Sequence, residues 1–123
     1  MSGMSHISVA IIDDDESLCR SMGRLLKAAS IQAMAYSSAE EFLSDPEHPR
    51  FDCILLDIQL DGMSGLELHE KLIAVGDVTP VVFITAHDAP EVRAQAESIG
   101  CAGYFRKSDP GNDVLSAIRR AVA

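Results

Sequence analysis

The sequence predicts an α/β fold, a doubly wound five-stranded parallel sheet with helices on both faces and strand order 2-1-3-4-5. Three observations predict it. Short apolar runs rich in β-branched residues recur along the chain, each too short for a buried helix. They are continuous rather than alternating, which marks strands covered on both faces. A helical pattern separates each run from the next, and strict alternation favours right-handed crossovers in an open sheet.

The first strand is "VAII" at 9–12, and the helix after it carries Leu18, Met22, Leu25, Leu26 and Ala29 on one face. "IQAMAY" at 31–36 alternates more and suits an edge strand. A short helix follows Ser38, where "SAEE" resembles a capping box ahead of Phe42 and Leu43. The third strand is "CILL" at 53–56, and its helix aligns Leu68, Leu72 and Val75, with Gly65 near its start and Gly76 as a stop. "VVFI" at 81–84 is the fourth strand, and Pro90 opens a helix with Val92, Ala96 and Ile99 before Gly100. The weaker "YF" at 104–105 is the fifth, and "DPG" at 109–111 precedes a helix with Val114, Leu115, Ile118 and Val122.

With 123 residues, 47% apolar and 24% charged, the chain suits one domain, expected over 6–123 behind a short leader at 1–5. The net charge of −9 argues against this segment contacting nucleic acid or an anionic membrane. No apolar run reaches a membrane span. Three widely spaced cysteines without a CxxC suit free thiols in a reducing, cytoplasmic setting. The four histidines, His6, His48, His69 and His87, show no ligand spacing and read as surface residues, His87 excepted for its place beside Thr85.

Ligands of such sheets bind outside the carboxyl ends of the strands. Asp13, Asp14 and Asp15 follow the first strand there, Asp57 the third, Thr85 the fourth and Lys107 the fifth. Crowded carboxylates repel by roughly 4 kcal/mol per close pair at an effective dielectric near 20. A hard cation such as Mg2+ relieves that, and Lys107 can neutralise more charge beside a bound anion. In this setting Asp57 is a candidate nucleophile toward phosphorus, with Thr85 and Lys107 stabilising the transferring group. Asp15 is expected to cap the first helix rather than bind metal.

The segments "IIDDDES", "ILLDIQLDGMSGLEL", "VVFITAHD" and "GYFRKSDP" together resemble the receiver domain of two-component response regulators, over roughly residues 7 to 122. The resemblance implies a flavodoxin-like fold and a phosphoryl-accepting switch rather than a metabolic enzyme. Asp57 would take its phosphoryl group from a sensor histidine kinase and lose it slowly by self-catalysed hydrolysis. Asp14 and Asp57 would ligate Mg2+ directly, Asp13 through water and Gln59 through its main-chain carbonyl. Thr85 and Lys107 would contact the phosphoryl oxygens, and Thr85 and Tyr104 would form the switch. Gln59 and His87 occupy the positions where the family tunes phosphate lifetime. The fourth helix and fifth strand would present the altered surface, a possible homodimer face. The style of "SSAEEFL" and "GMSGLEL" is similar to regulators with a helix-turn-helix output, so the segment reads as the receiver of such a transcriptional regulator or as a stand-alone receiver.

The sequence departs from the family at two loops. Ser108 stands where a proline usually follows the lysine through a cis peptide. Without proline that bond costs about 2.5–4 kcal/mol, so the loop is expected to be trans, or strained. Asp61 replaces a proline after the acceptor, ahead of Gly62, and should loosen that loop and add negative charge. The alternative function is a Mg2+-dependent phosphatase or phosphotransferase working through an aspartyl-phosphate. Gln59 argues against it, because that chemistry usually places an acid two positions past the nucleophile.

Overall fold

The computed structural model describes residues 6–123; the leader expected at 1–5 lies outside the described residues. Five strands and five helices alternate. They are β1 (Ser8–Ile12), α1 (Glu16–Ala28), β2 (Gln32–Tyr36), α2 (Ala39–Leu43), β3 (Cys53–Asp57), α3 (Gly65–Ala74), β4 (Val81–Thr85), α4 (Pro90–Ile99), β5 (Gly103–Arg106) and α5 (Gly111–Val122). All neighbouring strands pair in parallel, in the order β2-β1-β3-β4-β5. That is the order expected from the alternation.

The period-two geometry of the strands splits the core into two layers. Ala10, Ile12, Ile54, Leu56, Val81 and Phe83 face α2, α3 and α4, where Phe42, Leu68, Leu72 and Ala96 cover them. Val9, Ile11, Cys53, Leu55, Val82 and Ile84 face α1 and α5, against Met22, Leu26, Val114 and Ile118. The three central strands are buried throughout apart from the first residue of β1, which explains their continuous apolarity. β2, at the edge, is exposed at all but Tyr36.

Helix starts follow from their first residues. Asp15 caps α1, its carboxylate accepting from the main-chain N–H groups of Ser17 and Leu18 at 3.0 and 3.2 Å. Ser38 caps α2, and Ser64 with Glu67 forms a complete capping box on α3. Two expectations fail on α3. Val75 is 73% exposed, because the helix ends at Ala74 and Gly76 turns the chain with a positive φ of 81°. His69, expected at the surface, is 5% exposed, set edge-on against Phe83 with ring centroids 5.5 Å apart. It lies one turn beyond Leu66 on the face turned to β4, and burial pushes its imidazole pKa down.

Candidate phosphoacceptor site

The sheet register brings the acidic residues together. Ile12 pairs with Leu56, so the next residues, Asp13 just past β1 and Asp57 at the end of β3, stand side by side at adjacent strand ends. Both are 2% exposed. Asp14 points to solvent, yet carboxylate oxygens of Asp13, Asp14 and Asp57 lie within 4.8 Å of one another. Lys107 starts beyond β5, two strands away from β3, and reaches back across β4. Its Nζ donates to Asp13 Oδ1 at 3.0 Å and Asp57 Oδ2 at 3.2 Å, with Asp15 Oδ2 at 4.0 Å.

The remaining carboxylate oxygens are unevenly satisfied. Asp57 Oδ1 accepts from the main-chain N–H of Gln59 at 3.0 Å, and Asp13 Oδ1 also accepts from that of Asp15 at 2.9 Å. Asp13 Oδ2 is buried with no hydrogen-bond partner among the described residues. A buried anionic oxygen left bare is costly, and an oxygen-seeking divalent cation between Asp13, Asp14 and Asp57 would satisfy it. The donor set therefore fits Mg2+.

Burial, then the neighbouring Asp13 charge, push the Asp57 carboxyl up from 3.8 to about 6. Burial works against the Lys107 charge, but its bonds to Asp13 and Asp57 prevail and its pKa is raised. The sign of the consequence is definite. A raised carboxyl pKa means that ionising Asp57 disfavours the folded state, so its contribution to stability falls as pH rises from about 4 to about 6. In metal-free buffer, Asp57→Asn is thus expected to gain on the parent across that window, by on the order of 2 kcal/mol, and to hold a constant lead above it. Urea unfolding of both proteins from pH 4 to pH 8 checks this; a lead that does not change with pH contradicts it.

Thr85 ends β4, fully buried. Its hydroxyl donates to the main-chain carbonyl of His87 and accepts from the His87 N–H, both at 3.1 Å, so it is held within its own loop. The His87 and Gln59 side chains are exposed. Tyr104, on β5, is half-buried against the α3/α4 layer. Its hydroxyl is enclosed without a hydrogen-bond partner among the described residues, and the Arg93 guanidinium stands 5.1 Å from its ring centroid. Burial and the Asp88 charge push the phenol upward.

Both loops that depart from the family have local substitutes for proline. Every described peptide bond is trans, Lys107–Ser108 included. Asp109 closes that turn, accepting from the Arg106 main-chain N–H at 2.8 Å, while Lys107 N–H bonds to the Thr85 carbonyl at 2.8 Å. After β3, the Met63 N–H donates to Glu40 of α2 at 2.8 Å, a tether that sequence reading missed. Sequence reading also missed how tightly Gly65 sits. A Cβ there would collide with the Asp57 carbonyl oxygen and lie 2.9 Å from Ile58 Cα.

A family model described as the response regulator receiver domain matches residues 9–119. The chain belongs to that family. Among curated relatives, the response regulator protein TmoT of Ectopseudomonas mendocina is 31% identical over 114 residues, covering 93% of this chain and 52% of TmoT. The response regulator StyR superposes with a TM-score of 0.85 at 32% identity, over 96% of this chain and 60% of StyR. A CheY-like receiver domain from Methanospirillum hungatei gives 0.87 at 25% identity, over 96% and 94% of the two chains. This receiver spans about half the length of the curated relatives it matches. Its role is that of a two-component signalling module, and no helix among the described residues is long and apolar enough to cross a membrane.

Proposed function

We propose that this receiver accepts a phosphoryl group on Asp57 from the phosphohistidine of a sensor histidine kinase, in the cytoplasm, and holds it as a signalling state. The observation that carries the reading is the buried Asp13–Asp57 pair bridged by Lys107 at 3.0 and 3.2 Å. In the transfer a P–O bond forms to the Asp57 carboxylate, and the P–N bond to the donor imidazole breaks, its electron pair staying on nitrogen. Lys107 keeps its charge and moves from bridging two carboxylates to contacting phosphoryl oxygens. Thr85 can donate to the phosphate only by giving up the His87 carbonyl.

Asp14, Asp57 and the Gln59 carbonyl would hold Mg2+, with Asp13 acting through water. Bound there, the metal supplies a positive charge that offsets the −1.5 to −2 charge of the phosphoryl group. The Thr85 exchange, with movement of Tyr104 beneath Arg93, would alter the α4–β5 surface and could drive pairing of two copies there. Gln59 and His87, both exposed, would tune phosphate lifetime. Hydrolysis is slow and self-catalysed in this reading, and the receiver serves either as part of a transcriptional regulator or as a stand-alone receiver.

Mg2+ at ten times its Kd should stabilise the parent by about 1.4 kcal/mol and lift the thermal midpoint by about 5 °C. Asp14→Ala should lose most of that response; an equal rise in the variant would place the metal elsewhere. Incubation with Mg2+ and acetyl phosphate separates switch from enzyme. Uptake of one phosphoryl group per chain is expected, and continuous turnover of small phosphate esters would favour the phosphatase reading instead.

A further inference from the structure

The loop between β3 and α3 carries Gln59 and should be slack where Asp61 stands in place of a proline, ahead of Gly62. It is pinned from outside. Glu40 Oε2, in the first turn of α2, accepts the Met63 N–H at 2.8 Å. Gly62 passes beneath that carboxylate with φ 76°, and a Cβ built there would stand 2.5 Å from the same oxygen. Glu40 is exposed, so its position is not explained by burial; the Met63 N–H draws its pKa down. Across the base of the loop the Gly65 N–H bonds to the Ile58 carbonyl at 2.9 Å, and at its other end the Gln59 N–H bonds to Asp57 at 3.0 Å. The five residues 59–63 thus run between two fixed ends, one of them supplied by a different helix.

We infer that Glu40 is a positioning residue for the phosphoacceptor site: by holding Met63 over Gly62 it fixes residues 59–63 so that the Gln59 main chain stands correctly beside Asp57 and the metal. This rests on the Mg2+ and phosphoacceptor reading given above. The contact uses only a carbonyl-type oxygen as acceptor, so a glutamine, whose side-chain oxygen accepts equally well, should serve in its place. Alanine should not. Because the bond is exposed, its loss costs little global stability. Its effect should appear in loop order and metal affinity.

The test compares parent, Glu40→Ala and Glu40→Gln by amide hydrogen exchange in metal-free buffer, and then by calorimetric titration with Mg2+. In Glu40→Ala the Met63 amide is expected to exchange at least 10-fold faster and the Gln59 amide to lose protection. Mg2+ affinity should fall about 5-fold, with the thermal midpoint of the metal-free protein within 2 °C of the parent. Glu40→Gln should restore both exchange and affinity. Unchanged Met63 and Gln59 exchange in Glu40→Ala would overturn the inference, as would Mg2+ affinity equal to the parent's or a glutamine variant no better than alanine. If the parent itself binds no Mg2+, the phosphoacceptor reading fails, and the positioning role toward the metal falls with it. Exchange at Met63 still reports whether the tether exists.

Discussion

Lys107→Ala is expected to cost the metal-free protein about 3 kcal/mol and to slow phosphoryl uptake by 100-fold or more. Among the described residues, Nζ is the cation within bonding distance of both Asp13 and Asp57, each 2% exposed. Removing one partner from a buried charge cluster usually costs 3–5 kcal/mol, because the remaining charges stay desolvated and uncompensated. Protonation relieves part of that here. The Asp57 carboxyl already stands near 6 with the lysine present, and without it would climb further. The kinetic effect has the scale of losing one preorganised donor at a developing charge. Urea unfolding in chelator and a time course with acetyl phosphate and Mg2+ measure the two effects. Uptake at the parent's rate would show that Lys107 is a bystander.

Gly65→Ala is expected to destabilise by about 3 kcal/mol, as large as many core truncations, although it adds one methyl group. The reason is the docking of α3 onto the end of β3. The added Cβ would meet backbone on both sides, the Asp57 carbonyl oxygen and Ile58 Cα, and neither can rotate away. Relief requires the first turn of α3 to lift, which breaks the bond from Gly65 N–H to the Ile58 carbonyl. The same shift moves the main chain of the acceptor, so the Mg2+ response should weaken along with stability. A loss under 0.5 kcal/mol by urea unfolding would contradict so close a contact.

That Asp13, Asp14, Asp57 and Lys107 would meet at the sheet edge where Thr85 ends β4 was legible in the sequence for a simple physical reason. Continuous apolar runs locate the strands, parallel topology puts the strand ends on one edge, and a polar residue just past such a run has nowhere else to go. The strand order followed from the same alternation, and the capping role of Asp15 from its place before a helical pattern. What stayed hidden depends on contacts between elements. Glu40 reads as one more acidic residue in a helix first turn, and nothing in its neighbours announces Met63, 23 residues away. Val75 is exposed because α3 stops at Ala74, past which the periodic row no longer faces the core, whereas His69 is buried because it sits mid-helix on the face packed against Phe83. The Thr85 hydroxyl bond to His87 and the closure of the Lys107 loop by Asp109 are also local geometry, invisible to spacing. The Asp109 closure and the Glu40 tether explain how the two loops without the family's prolines are held.

The most direct measurement is intact-mass and peptide-level spectrometry of the parent and Asp57→Asn after incubation with acetyl phosphate, with and without Mg2+. With the metal, the parent should gain a single phosphoryl group on the peptide containing Asp57, while metal-free parent and Asp57→Asn gain none. A phosphoryl group on any other residue, or equal uptake by Asp57→Asn, would contradict the assignment of Asp57 as the acceptor.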